Sequence, residues 1–99
     1  MSDYLGPSTA ATLSDSIDLT IRGCDKVEQL DRENRAALLA GEISEDESAE
    51  MELIIRRLVQ ALVPIAQCLL LSVEIAGLFE GDERIAKLKQ RFDYLSSQM

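Results

Sequence analysis

The stretch from Leu53 to Phe79, LIIRRLVQALVPIAQCLLLSVEIAGLF, is apolar almost all the way round, and any fold of this chain has to find cover for it. After Arg56 and Arg57 its strongly polar residues are Gln60, Gln67, Ser72 and Glu74. Gln60, Gln67 and Glu74 are seven apart, so on a helix they form one narrow wet stripe along an otherwise apolar rod. Pro64 lies in the middle of it. A proline there removes the donor to the Gln60 carbonyl and crowds it, which predicts a kink or a break near Leu62 and Val63.

The flanking sequence supplies two narrower helices. From Ala10 the apolar positions Leu13, Ile17, Ile21, Cys24 and Val27 recur at helical spacing, and Leu30, Ala37 and Leu38 continue the stripe. This predicts a helix over residues 9–40, closed by Gly41 in the left-handed position. Residues 1–8 read as a flexible lead, broken at Gly6-Pro7-Ser8, with Ser8 or Thr9 as the cap. Ser44 with Glu47 three residues on is a capping box, which starts the second helix at residue 45 and lets it run toward residue 80. Asp82 caps a third helix over 82–97, with Ile85, Leu88, Phe92, Leu95 and Met99 on one stripe. The chain is thus a single all-α domain over residues 1–99, an antiparallel three-helix arrangement with few aromatics and no histidine or tryptophan.

The short connection Gly41 to Ser44 makes the first two helices antiparallel neighbours. Folding there places residue n opposite residue 85 minus n. Gly23 then faces Leu62; at a cost of about 1 kcal/mol relative to alanine it permits a close crossing there, with a bend in the helix as the alternative. Cys24 and Cys68 fall roughly 10 Å out of level along the helices, so no disulfide joins them. Both read as buried structural thiols in a reducing cytoplasm. The start MSDYLGPST has neither a basic region nor an apolar run, and no secretory signal is read there.

Two amphipathic neighbours cannot cover the whole girth of the second helix. The simplest remedy is a dimeric helical bundle, a homodimer or higher, with Leu58, Leu62, Ile65, Leu69, Val73 and Ile75 at the interface. A membrane span is the rival remedy, since Leu58–Phe79 is long enough. Gln60, Gln67, Glu74 and Pro64 inside that window argue against it, and no membrane partner is expected.

Charge points elsewhere. The net charge is −8, and it is unevenly placed: residues 1–52 hold 13 acids and 4 bases, whereas residues 53–99 hold 5 acids and 6 bases. Such a molecule repels nucleic-acid phosphates and attracts basic surfaces. Six of the eleven residues from Glu42 to Glu52 are acids: Glu42, Glu45, Asp46, Glu47, Glu50 and Glu52. Helix initiation accounts for part of this run, because the dipole favours negative charge in the first turn. The bases of the third helix, Arg84, Lys87, Lys89 and Arg91, are interleaved with acids and read as a solvated face. Glu74 either emerges along the glutamine stripe or pairs with Lys87, Lys89 or Arg91.

Enzyme chemistry finds no footing. Without histidine there is no Ser-His or Cys-His pair, and no glycine loop cradles phosphate. Two thiols make no zinc site, and the acid run lacks the spacing and glycine of a calcium loop, so neither metal nor cofactor is expected. The expectation is therefore a non-enzymatic interaction module. Its acidic edge, Glu42, Glu45, Asp46, Glu47, Glu50 and Glu52, would engage a basic protein, with nucleic-acid-binding proteins among the candidates, as a regulator or inhibitor. Small acidic inhibitors of host defence carried by phages and mobile elements are of this type in size, charge and lack of chemistry. The alternative is an adaptor or chaperone that takes a partner's amphipathic helix in the apolar groove of the second helix.

Overall fold

The computed structural model describes residues 7–98, and among them the chain is all-helical: α1 spans Pro7–Leu39, α2 Glu45–Ala76 and α3 Glu83–Ser97. The helices run up, down and up in a rod of 57 × 21 × 21 Å. α1 already includes Pro7 and Ser8, which corrects the expected start at residue 9. A proline in the first turn forfeits no helical hydrogen bond, and its fixed φ suits the helix. The rest of the expected lead, residues 1–6, lies outside the described residues.

Two glycines end the long helices in the same way. Gly41 sits at φ 74°, its N–H donating to the Leu38 carbonyl at 3.1 Å while the Glu42 N–H donates to the Ala37 carbonyl at 2.9 Å. Gly77, at φ 64°, repeats the pattern against Glu74 and Val73. Each closure satisfies carbonyls that the helix end would leave open. α2 therefore stops four residues before the expected residue 80. The apolar run continues into Leu78 and Phe79, but the backbone has already turned. Between α1 and α2 the capping box forms as the sequence predicts: the Glu47 N–H donates to Ser44 Oγ at 3.1 Å, and the Ser44 N–H donates to Glu47 Oε1 at 3.3 Å. Asp82 caps α3 by accepting from the Arg84 N–H at 2.9 Å.

The core lies in two connected clusters. Ile17 of α1, Ala66, Leu69 and Val73 of α2 and Leu88 of α3 form one, with Phe79 and Ile85 packed against it. Cys24, Val27, Ile55, Val59, Val63 and Leu95 form the other. Between them α1 and α2 cross closely: a Cβ built on Gly23 would lie 3.3 Å from Leu62 Cδ2. The half-turn arithmetic from the connection holds at this point. α3 is less than half the length of α2 and covers only the part of the hairpin remote from the Gly41 turn. Toward that turn α1 and α2 pair alone, and there the Asn34 Nδ2 donates to the buried Ser48 carbonyl at 3.2 Å.

α2 is not broken at Pro64; it is one helix from Glu45 to Ala76. Pro64 and Gln60 are both exposed, so the carbonyl deprived of its donor lies on the water side of the helix. Neighbouring Val63 and Ala66 are buried and hold the segment against α1 and α3. Both cysteines are free; Cys24 is buried, but Cys68 is exposed, correcting the expectation of two buried thiols. Cys68 lies on the outer side of α2, while its apolar neighbours Ala66 and Leu69 face the core.

The Gly23 crossing has a direct test. Gly23→Val forces two extra methyl groups against Leu62 and is expected to lower unfolding free energy by about 1–3 kcal/mol in urea titrations. Ser44→Ala, which removes only the cap, is expected to cost about 1 kcal/mol. An unchanged midpoint for Gly23→Val would contradict the close crossing.

Candidate functional site

Two surfaces carry the residues that the sequence singles out, and both belong to α2. The first is the acidic turn that launches it. Glu42, Glu45, Asp46, Glu47, Glu50 and Glu52 are all exposed at one end of the rod. Glu47 is committed to the capping box, where its Oε1 also accepts from Ser44 Oγ at 3.1 Å. The other acids make no ion pair within the described residues, so their charge faces solvent. Among the described residues, no three potential ligands stand close enough to hold a metal ion.

The second surface is the outer face of α2. Of the large apolar side chains that remain exposed in the described chain, six lie on this one helix: Leu53, Ile54, Leu58, Ile65, Leu71 and Ile75. Ala61, Pro64 and Cys68 fall between them and are also exposed. At 100° per residue these positions share one side, opposite the buried Ile55, Val59, Ala66 and Val73. The expected interface residues divide accordingly. Leu58, Ile65 and Ile75 stand on the outer face, Leu62 is half-buried against Gly23, and Leu69 and Val73 belong to the protomer's own core. Leu69 and Val73 face inward because α3 extends the core along that side of α2, beyond the reach of α1 alone. By length and composition α2 is also long and apolar enough to cross a membrane. Gln60, Gln67 and Glu74 line one flank of the outer face, all exposed. Glu74 emerges along that stripe, and no base lies within ion-pairing distance of it among the described residues.

Charge sets how α3 lies on α1. The Arg84 guanidinium donates to both oxygens of Asp82, to Oδ1 at 3.2 Å and to Oδ2 at 2.7 Å, and reaches α1 at Ser14 Oγ, 2.7 Å, and Asp18 Oδ1, 3.3 Å. It also lies 5.5 Å from the centre of the Phe79 ring, whose backbone holds a left-handed φ of 61°. One heptad further on, Arg91 donates to Asp25 Oδ1 at 2.6 Å. Asp18 and Asp25 are seven apart, as are Arg84 and Arg91, so the two rungs fix a parallel register between α1 and α3. The sequence predicts a solvated face for Arg84 and Arg91; the matching interval of seven on the first helix is the signal that pairs them. Hydrogen bonds from Arg84 hold the Asp82 carboxyl below the usual range, and the same contacts with Asp82 and Asp18 raise the guanidinium. Burial, reinforced by Asp25, pushes the Cys24 thiol up and keeps it protonated, although Arg91 opposes this.

Two open grooves flank α3. One, where α3 ends, is floored by Val27, Ile55, Val59 and Leu95 and edged by Glu28, Asp31, Glu52 and Arg56. The other follows the Gly77–Asp82 turn past Leu70, Phe79, Ile85 and Phe92. Neither brings together an acid, a base and a nucleophile in an arrangement for proton transfer. Near the first, Asn34 Oδ1 is buried without a hydrogen-bond partner. Comparison of the chain with family models, with curated proteins and with solved structures gives no match.

The Asp82 contact predicts an acid response of known sign. A carboxyl held low by its partner contributes stability above the unfolded carboxyl range, near about pH 3.9, and loses it as pH falls through the folded value. Arg84→Gln is expected to move the Asp82 titration upward toward the ordinary carboxyl range in carboxyl NMR and to flatten the acid limb of the stability profile. An Asp82 titration that does not move would remove Arg84 as the cause.

Proposed function

We propose that this protein is a non-enzymatic helical interaction module, which uses the acidic turn between α1 and α2 to engage a basic protein. The observation that carries this reading is the exposure of Glu42, Glu45, Asp46, Glu50 and Glu52 at one end of the rod, without internal partners. Only Glu47 is occupied by helix capping. Helix initiation explains an acidic first turn; it does not explain acids carried on to Glu50 and Glu52 or the preceding Glu42. Exposed like charge of this density steers encounter with surfaces of opposite sign. Self-association through the outer face of α2 belongs to the same reading, with a bend at Pro64 setting the crossing of the two copies. It presents two acidic ends on one particle, a charge pattern able to compete with nucleic acid for a basic protein. A regulator or inhibitor of a nucleic-acid-binding protein, of the phage or mobile-element anti-defence type and acting in the cytoplasm, fits this pattern.

The exposed outer face also supports a second reading, an adaptor or chaperone that holds a partner's amphipathic helix on α2. The two differ in the free protein. A monomer that binds a hydrophobic dye strongly supports the adaptor, whereas a tight dimer with little dye binding has used that face on itself.

Capture from a lysate of the source cells tests the acidic turn. With Glu45, Asp46, Glu50 and Glu52 reversed to lysine and the capping Glu47 left in place, recovery of a basic partner is expected to fall at least about tenfold, with the wild-type interaction weakening as salt rises. Equal capture by both proteins would rule out the acidic edge as the binding surface.

A further inference from the structure

We infer that the outer face of α2 is the seam of an antiparallel contact with a second copy of this chain, its two-fold axis level with Ile65. This rests on the self-association proposed above and specifies its direction and register. Area is the first support. The large side chains on the face range from 39% exposed at Leu58 to 85% at Ile75. The six together present on the order of 600 Å², the most that a monomer ordinarily leaves in one patch, and Ala61, Pro64 and Cys68 carry it toward the roughly 800 Å² per partner of a standard interface. The face also has seam spacing. Ile54, Leu58, Ala61, Ile65, Cys68, Ser72 and Ile75 recur at alternating intervals of four and three, the pattern that keeps one line of side chains toward a neighbouring helix.

Charge decides the direction. A parallel arrangement would set the two acidic turns side by side, Glu45 to Glu52 against their own copies. An antiparallel one about Ile65 places residue n level with residue 130 minus n and carries the acidic turns to opposite ends, about 40–60 Å apart at 1.5 Å per residue. Ile54 then lies level with Ala76 and one residue from Ile75 of the second copy, Leu58 with Ser72, and Ala61 with Leu69 and one residue from Cys68. Beyond the acidic turn, α2 carries three further charges that make no ion pair within the described residues: Arg56, Arg57 and Glu74. Arg57 is the one charge on the outer face between Leu53 and Ile75. A two-fold axis in the contact plane turns each flank toward its own copy, so Glu74 comes level with Arg56 and within one residue of Arg57 of the second copy. Both ends of the seam gain this pairing, and the charge inside the apolar face gains a partner. The Gln60 and Gln67 side chains border the same flank.

The test uses the full chain. Light scattering after gel filtration is expected to return twice the chain mass of 11.0 kDa. In a Cys68→Ser background, Ile65→Cys is expected to form an intermolecular disulfide under mild oxidation, because it meets its own copy at the axis. Leu58→Cys, fourteen residues out of level with itself, is expected to stay unlinked. Arg57→Glu is expected to weaken the dimer at least about tenfold, and adding Glu74→Arg to the same chain to restore it. A dimer in which both cysteine variants cross-link is parallel and overturns the inference while keeping self-association; so does a dimer in which neither links. Failure of Glu74→Arg to rescue overturns the charge pairing. A wild-type monomer, whether free or floating with phosphatidylcholine vesicles, overturns both the inference and the self-association beneath it.

Discussion

The whole structure depends on one imbalance: α2 is apolar around most of its circumference, and the chain supplies only two helices to cover it. α1 covers one side along its length, α3 covers a second over part of it, and the third side is left with leucine and isoleucine half exposed. Every kilocalorie of hydrophobic stabilisation in the core comes from the first two sides. The third leaves a contiguous apolar face on the side of the rod.

The polar features act mainly as devices of length and register. Two left-handed glycines and the caps at Ser44 and Asp82 set where the helices begin and end. The Arg84 and Arg91 rungs hold α3 in register on α1, and Asn34 ties the paired ends of α1 and α2 to each other. An exposed pair such as Arg91 with Asp25 contributes less than about 1 kcal/mol, so its effect lies in selecting one sliding position over another. Apart from the capping Glu47, the acids of the turn and the large apolar side chains of the outer face of α2 take no part in these devices.

Helix count, order and the Gly23 crossing were legible in the sequence because they rest on local signals: apolar spacing, Ser44 with Glu47, and a connection too short for any other arrangement. The end of α2 was not, because Leu78 and Phe79 prolong the apolar run and only the backbone angle at Gly77 shows that the helix has stopped. Cys68 was misjudged for a related reason. Apolar neighbours in sequence predict burial only where the bundle has a helix to put there. Leu69 and Val73 are the converse case: they looked available for an outer contact until the position of α3 placed them inside. The acidic turn was visible as composition, but its division into one capping acid and five unengaged ones required hydrogen-bond geometry. The Asp18–Arg84 and Asp25–Arg91 rungs were hidden because charges seven apart on separate helices look like ordinary solvated faces when each helix is read alone.

The central claim is that the third side of α2 is covered by association and that this cover stabilises the fold. Thermal unfolding followed by circular dichroism over about a hundredfold range of chain concentration measures it most directly, because a folded assembly that dissociates on unfolding gains stability by mass action. The account predicts a midpoint that rises steadily with concentration. A midpoint independent of concentration, with the same cooperative transition throughout, would mean that the exposed face of α2 contributes nothing through self-association.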